Sequence, residues 1–135
     1  MKSILVIAVV LSSILCSCAL LFQENESIKI IDNYYVGWND LVANRQIVEK
    51  KSKDSKISHV IIGGYVSAVG HNKEFIIAKQ RKLNSTLSTK YYIVDITQKL
   101  NKKILGPLSK EKFEEKKIQL GIKELEFDLV FEESP

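Results

Sequence analysis

The feature that most constrains this chain is its first 22 residues, because they are almost without charge. Lys2 gives a basic start, and residues 4–22 are then an uncharged run of apolar residues, serines and two cysteines. A basic start followed by an apolar run is typical of an export signal. We therefore expect the folded part outside the cytoplasm, with roughly 110 residues left for it, enough for one domain and too few for two.

The end of this run contains a lipidation motif. Leu15-Cys16-Ser17-Cys18 has the form that a lipoprotein signal peptidase recognises, with an aliphatic residue three positions before the cysteine that receives the lipid. We expect cleavage before Cys18 and attachment of lipid chains to it. This predicts a leader at residues 1–18, a polar spacer at 19–27 and a single globular domain at 28–135.

Two alternatives for the leader remain open. Residues 4–22 would form an apolar helix of about 28 Å, close to the thickness of a bilayer's hydrocarbon core, and could stay as an uncleaved anchor. Residues 20–22 favour this alternative, because they continue the apolar run past Cys18, where a lipoprotein spacer is usually polar. Ser17-Cys18-Ala19 also suits ordinary signal-peptide removal without lipid. All three outcomes place the domain outside the cytoplasm, and the first two anchor it to a membrane of the cell envelope.

The cysteine content and the charge of the chain limit which bonds and which partners the domain can have. Both cysteines, Cys16 and Cys18, lie in the leader, so no disulfide can form within the domain. The formal net charge is +4, and the basic residues occur in clumps at 50–53, 79–82 and 99–103. Such clumps can face anionic lipid or a cell-wall polymer, although solvated loops and strand ends are the simpler interpretation. The export signal disfavours a nucleic-acid partner.

Patterns of apolar residues predict an α+β fold. Residues 28–38, 75–79 and 91–96 are rich in β-branched and aromatic residues, and residues 125–131 alternate apolar with mostly acidic side chains. Residues 60–69 resemble one central strand with a bulge at Gly63-Gly64. Ser109 is a suitable N-cap, and Gly121 a C-terminal cap, for a helix at 110–120. We predict a single mostly antiparallel sheet of five or six strands with one helix in the C-terminal half, preceded by an apolar leader helix.

No pattern predicts a reaction, a cofactor or a metal. His59 and His71 flank the predicted central strand, whose length would hold them more than about 30 Å apart, too far to share a metal ion. The domain has no cysteine nucleophile and no Gly-x-Ser-x-Gly elbow. Because nothing selects a pair among the 16 acidic residues, a non-enzymatic protein is the preferred hypothesis.

The most distinctive segment is YYVGWND at residues 34–40, which contains the only tryptophan. Amphipathic rings followed by Asn and Asp suit a patch that binds carbohydrate or protein. The simpler interpretation, which we favour, is that Tyr34 and Trp38 fill the core while Asn39 and Asp40 turn the chain. If a binding patch exists, we expect it to comprise Tyr35, Trp38, Asn39, Asp40, Asn44, Arg45 and His71.

Several segments together resemble a known family. They are YYVGWND (34–40), NRQI (44–47), VxAVGHN (66–72), FIIAKQ (75–80), YYIVD (91–95) and GPL (106–108). The chain resembles, over most of residues 28–122, a family of small bacterial lipoproteins of uncharacterised function known as domain of unknown function 3997. The resemblance implies a lipoprotein of the bacterial envelope and favours Cys18 as the lipid site, but it brings no activity and no catalytic residues.

These observations lead to one hypothesis and two alternatives. The hypothesis is a membrane-tethered envelope lipoprotein whose domain binds a ligand, a protein or a cell-wall polymer without catalysing a reaction. An immunity-like protein that neutralises a toxin is the alternative within binding. A small extracytoplasmic hydrolase is the alternative of a different class, and it predicts a concave site with convergent ionisable groups.

Overall fold

The computed structural model describes residues 27–38, 42–81, 89–98 and 103–131. Within these residues, nine strands and one α-helix form two antiparallel sheets and a helical layer. The N-terminal sheet contains β1 (Ser27–Ile31), β2 (Tyr34–Gly37), β3 (Gln46–Lys50) and β4 (Ser58–Ile62). The C-terminal sheet contains β5 (Val66–His71), β6 (Phe75–Gln80), β7 (Lys90–Asp95), β8 (Lys103–Leu108) and β9 (Leu129–Val130), and helix α1 spans Lys110–Gln119.

The N-terminal sheet is a meander in which each strand pairs with the next, in the order β1-β2-β3-β4. A turn at Asp32 and Asn33 separates β1 from β2, and Asp32 has a positive φ of 48°. Aspartate and asparagine adopt this left-handed conformation more readily than other non-glycine residues. Val36 pairs with Ile28 on one side and with Ile47 on the other, so β-branched residues occupy the middle of the sheet.

The C-terminal sheet has the strand order β8-β7-β6-β5-β9 and is covered on both faces. In β6 the consecutive residues Ile76, Ile77 and Ala78 are all fully buried. Because successive side chains of a strand point to opposite faces, this run requires a packed layer on each side of the sheet.

Two cores fill these layers. The inter-sheet core joins the inner faces of the two sheets, with Ile30, Tyr34, Val36, Ile47 and Ile62 from one and Val66, Val69, Ile76, Ala78, Val94 and Ile96 from the other side. The helix-side core contains Phe75, Ile77, Ile93, Phe113 and Ile122. The layers therefore follow one another as N-terminal sheet, C-terminal sheet and helix.

Helix α1 confirms the predicted helix and its caps. The Ser109 hydroxyl accepts a hydrogen bond from the Lys112 backbone N–H at 3.3 Å, and Gly121 has a positive φ of 71° just after the helix. Phe113 is buried against the sheet, and the second buried residue of the helix is Lys117. The Lys117 ammonium lies 5.4 Å from the centroid of the Phe113 ring, so its aliphatic stem covers the apolar surface.

Residues 122–131, the C-terminal strap, wrap around the edge of the C-terminal sheet. Leu125 and Phe127 pack against the helix-side core, whereas Leu129 and Phe131 pack against the inter-sheet core. Only Leu129 and Val130 form a strand, β9, which pairs with β5. The predicted half-buried strand at 125–131 is therefore wrong for most of its length, because the alternating apolar residues serve two faces instead of one.

The predicted fold class is also wrong, since the structure has two sheets and is mostly β. The segment predicted as one central strand at 60–69 is two strands in different sheets, with Gly63-Gly64 at the crossover between β4 and β5. The segment predicted as one strand at 28–38 is the pair β1 and β2. The second sheet is explained by the burial of apolar surface. The apolar face of β1 to β4 must be shielded from water, and it packs against the inner face of the C-terminal sheet.

The predicted leader helix lies outside the described residues. Among the residues that the structure describes, no helix has the length and apolar character needed to cross a membrane.

Candidate functional site

The candidate site is built around Arg45, at the point where the two sheets meet. A short 3₁₀ helix, Val42–Asn44, leads into Arg45, and β3 begins at the next residue. The Arg45 carbonyl accepts a hydrogen bond from the Val66 N–H at 3.1 Å, which joins the start of β3 to the start of β5. Gly64 lies beside Asn44, since a Cβ on Gly64 would be 3.8 Å from the Asn44 Cα.

The Arg45 guanidinium lies near two aromatic rings. Its central carbon is 4.4 Å from the centroid of the Phe131 ring and 6.0 Å from the centroid of the Trp38 ring. Arginine is attracted to the negative face of such rings, and Trp gives the strongest interaction of this kind. Trp38, Asn44, Arg45 and Phe131 are all half-buried; we call these four residues the Arg45 cluster.

Arg45 keeps unused hydrogen-bonding capacity within this cluster. Its Nε atom is buried and has no hydrogen-bond partner among the described residues. Partial desolvation lowers the pKa of Arg45 from its ordinary value, although a guanidinium stays charged at neutral pH. Among the described residues, the positive charge of the cluster is therefore oriented by aromatic rings.

A hydrogen-bond network fixes the crossover on which the cluster rests. The Tyr92 hydroxyl donates to Gln80 Oε1 at 3.1 Å, and Gln80 Nε2 donates to the Gly64 carbonyl at 2.7 Å. Tyr65, the next residue, has a positive φ of 68°, and its carbonyl accepts from the Arg81 N–H at 2.9 Å. Burial raises the pKa of the Tyr92 phenol, so the hydroxyl remains a donor at neutral pH.

The structure brings together three of the seven residues predicted as a binding patch. Trp38, Asn44 and Arg45 belong to the Arg45 cluster, and Trp38 lies in neither core, contrary to the interpretation of this residue as core. Asn39 and Asp40 lie outside the described residues.

The two remaining patch residues lie elsewhere. Tyr35 is buried on the opposite face of β2 from Tyr34 and Val36, with the Lys50 ammonium 5.4 Å from the centroid of its ring. His71 ends β5, roughly 16 Å along the strand from Val66 and hence from Arg45. His71 Nδ1 lies 3.6 Å from Asp128 Oδ2, which is longer than a hydrogen bond but close enough for an ion pair when the imidazole is protonated.

Phe131, Gln80 and Tyr92 contribute to the site without having been predicted there. In the sequence, Phe131 is one member of the alternating set at 125–131, and nothing in that period shows that the strap changes faces before reaching it. Gln80 lies in a basic segment and Tyr92 in an apolar strand, 12 residues apart. Only the pairing of β6 with β7 brings these two side chains together.

The described residues do not form a metal site. They contain no group of three or more His, Cys, Asp or Glu side chains placed to hold a metal ion. An open groove of about 450 Å³ lies between α1 and the strap, lined by Glu114, Lys117, Lys123, Leu125, Glu126 and Phe127. The Lys117 ammonium in this groove lies 3.6 Å from the Glu114 carboxylate.

Comparison with known proteins places the chain in a family. A family model described as protein of unknown function (DUF3997) matches residues 31–131. The chain belongs to the DUF3997 family. The match confirms the family resemblance seen in the sequence and includes all four residues of the Arg45 cluster. No curated protein and no solved structure matches this DUF3997 chain significantly.

Proposed function

We propose that this DUF3997 protein is an envelope lipoprotein, anchored by lipid on Cys18, whose domain binds a partner at the Arg45 cluster. The anchor is supported by the uncharged run at residues 4–22 and by the Leu15-Cys16-Ser17-Cys18 motif within it. Strand β1 begins at Ser27, nine residues after Cys18. Nine residues span at most about 32 Å, so the tether would hold the domain close to the bilayer surface.

The observation that carries the binding proposal is the half-buried Arg45 cluster, in which the guanidinium Nε has no hydrogen-bond partner from the described part of the chain. Trp, Tyr and Arg are the residues most enriched at the energetic centres of protein interfaces. A guanidinium that is already oriented by rings loses little side-chain entropy when it binds an acceptor. We therefore expect a partner that offers a carboxylate or carbonyl group to Arg45 and an apolar or sugar-ring surface to Trp38.

The test is affinity capture from the native envelope with the full-length, tethered protein as bait. The informative variants are Trp38→Ala and Arg45→Lys, because lysine keeps the charge of Arg45 but not its planar donor fork. Lys112→Ala is the matched control, since Lys112 is exposed on α1, in the layer farthest from the N-terminal sheet. The folded state of each variant is checked by circular dichroism and by its unfolding midpoint.

The proposal predicts a partner that is captured by the wild-type protein and by Lys112→Ala, and is lost or reduced at least tenfold with both cluster variants. Equal capture by folded Arg45→Lys and Trp38→Ala variants would contradict binding at this cluster. The nature of the captured partner separates the remaining alternatives. A cell-wall polymer favours a ligand-binding role, and a secreted toxin favours an immunity-like role.

A further inference from the structure

The loop between β3 and β4 concentrates positive charge at one side of the molecule. Residues 50–56 contain four lysines and one aspartate, a net charge of +3 over seven residues. Lys51, Lys53 and Lys56 are exposed, and none of the lysines in this loop forms an ion pair within the described part of the chain. We call residues 50–57 the lysine loop.

Exposed apolar side chains lie next to these lysines. Ile57 ends the lysine loop and is 76% exposed, and Val60 follows on β4 at 55% exposure. Val60 pairs with Val48, and both share the outer face of the N-terminal sheet with Tyr35, the face opposite the inter-sheet core. Val48 and Tyr35 are buried, so the exposed apolar part of this face is its edge at β4. Exposed aliphatic side chains next to several lysines are typical of a surface that inserts shallowly among lipid headgroups.

The tether enters at the same face. The Lys50 ammonium donates a hydrogen bond to the Ser27 hydroxyl at 3.4 Å, so the first residue of β1 lies beside the side chain that opens the lysine loop. Lys29, two residues along β1, lies on that face as well and is exposed. A chain that runs from a lipidated Cys18 to Ser27 would therefore approach the domain from this side.

The opposite side of the molecule has the opposite charge. Residues 110–128, which include α1 and most of the strap, contain five lysines and six acidic residues, a net charge of −1. This layer is separated from the outer face of the N-terminal sheet by both sheets. An anionic surface would therefore attract the lysine loop more strongly than the layer formed by residues 110–128.

From these observations we infer that the lysine loop and the adjoining β4 edge of the outer face rest on an anionic bilayer. The inference rests on the proposed function, in which lipid on Cys18 holds the domain at that bilayer. The lipid brings the domain near the surface but leaves its orientation free, and the lysines supply the orientation, each contributing roughly fivefold to binding at an anionic surface. The Arg45 cluster then stays uncovered, because Phe131 packs on the inter-sheet core and not on the outer face.

The test uses single-cysteine labels, which are simple here because the mature domain has no cysteine other than Cys18. A fluorophore is attached at Ser52→Cys in the lysine loop or at Glu111→Cys on α1, both exposed positions. The lipidated protein is reconstituted into vesicles of pure phosphatidylcholine, or of phosphatidylcholine with 30% phosphatidylglycerol, that contain a headgroup quencher.

We expect the label at position 52 to be quenched at least threefold more than the label at 111 on the anionic vesicles. The ratio should fall to about one on phosphatidylcholine alone, in 1 M salt, and in the variant with Lys51, Lys53 and Lys56 all changed to Glu. Protein that floats with the anionic vesicles but shows equal quenching at both labels overturns the orientation alone. Protein that does not float overturns the anchor and, with it, the orientation.

Discussion

The substitution Gly70→Ala tests whether the C-terminal strap is packed on the sheet as the structure shows. Gly70 lies in β5, and a Cβ at this position would meet the backbone carbonyl oxygen of Glu126 inside its contact radius, with the carbonyl carbon at 2.9 Å and the Ile77 Cγ1 at 3.1 Å. The obstacle is mainly backbone, which cannot move aside as the end of a flexible side chain can.

The strap is also held on both sides of this contact. On the far side, the Asp128 N–H donates to the Val69 carbonyl at 3.1 Å and the Phe131 N–H to the Ser67 carbonyl at 2.9 Å. On the near side, the Ile122 N–H donates to the Lys117 carbonyl of α1 at 2.9 Å. Relief of the clash must therefore break some of these bonds or bend β5. Overpacking of this kind costs about 1–3 kcal/mol of unfolding free energy, which is a large part of the 5–15 kcal/mol typical of a whole domain.

The assay is urea unfolding followed by circular dichroism and by the fluorescence of Trp38, the only tryptophan. For a small protein whose unfolding free energy falls by about 1–3 kcal/mol per molar urea, we expect the urea midpoint of Gly70→Ala to drop by roughly 1 M, the value at the middle of both ranges. Gly63→Ala is the matched control, because a Cβ on Gly63 would meet no atom within 4 Å. That variant should lie within about 0.5 kcal/mol of the wild type or be slightly more stable. A Gly70→Ala protein as stable as Gly63→Ala would refute the packing of the strap on Gly70.

Three further predictions concern single side chains. Burial, with the charges of Glu49 and Asp32, raises the pKa of Tyr34 to about 12 from 10.0. The Tyr34 phenol therefore stays protonated to a higher pH in the folded state than in the unfolded chain. Its contribution to the free energy of unfolding is complete below pH 10 and is lost as the pH rises towards about 12. Tyr34→Phe should lose less unfolding free energy than the wild type over that pH range. Tyr92→Phe removes the donor to Gln80 and should cost about 1 kcal/mol in urea unfolding, and a neutral effect would contradict the crossover network. Ser109→Ala should also cost about 1 kcal/mol and lower helicity by circular dichroism, because the N-cap bond is lost.

Local signals in the sequence predict local structure well. The helix and both of its caps follow from the types of residue at Ser109 and Gly121, since each acts on its own neighbours within the chain. The segments at 75–79 and 91–96, rich in β-branched and aromatic residues, also appear as strands, β6 and β7, with ends that differ by one residue. The family, too, was accessible from short motifs.

The number of sheets was not accessible in the same way. A glycine pair within an apolar run fits both a bulge and a crossover, and the choice depends on which strands pair at long range. The structure resolves it through the bond from Val66 N–H to the Arg45 carbonyl and the bond from Gln80 to Gly64, whose partners lie 16 or more residues apart. Sequence periodicity reports which faces are buried, but it does not report which face covers which.

In the candidate site, too, residue types were predictable from the sequence, whereas long-range contacts were not. Trp38 and Arg45 were predicted as patch residues from their types, and they do come together because both flank strands of one sheet. Phe131 reaches them only because the strap passes from the helix-side core to the inter-sheet core. The regular alternation of apolar residues at 125–131 gives no sign of this change. His71 was predicted in the same patch, but it lies at the end of β5 that is far from Arg45.

The central claim, that this DUF3997 protein is tethered through lipid on Cys18, is tested most directly by metabolic labelling with a clickable fatty acid in its native host. We predict that the wild-type protein and Cys16→Ser are both labelled and that Cys18→Ala is not, since only the second cysteine stands at the lipidated position of the Leu15-Cys16-Ser17-Cys18 motif. Cys16→Ser controls for the loss of a leader cysteine. An unlabelled wild-type protein, or labelling that persists in Cys18→Ala, would contradict the claim.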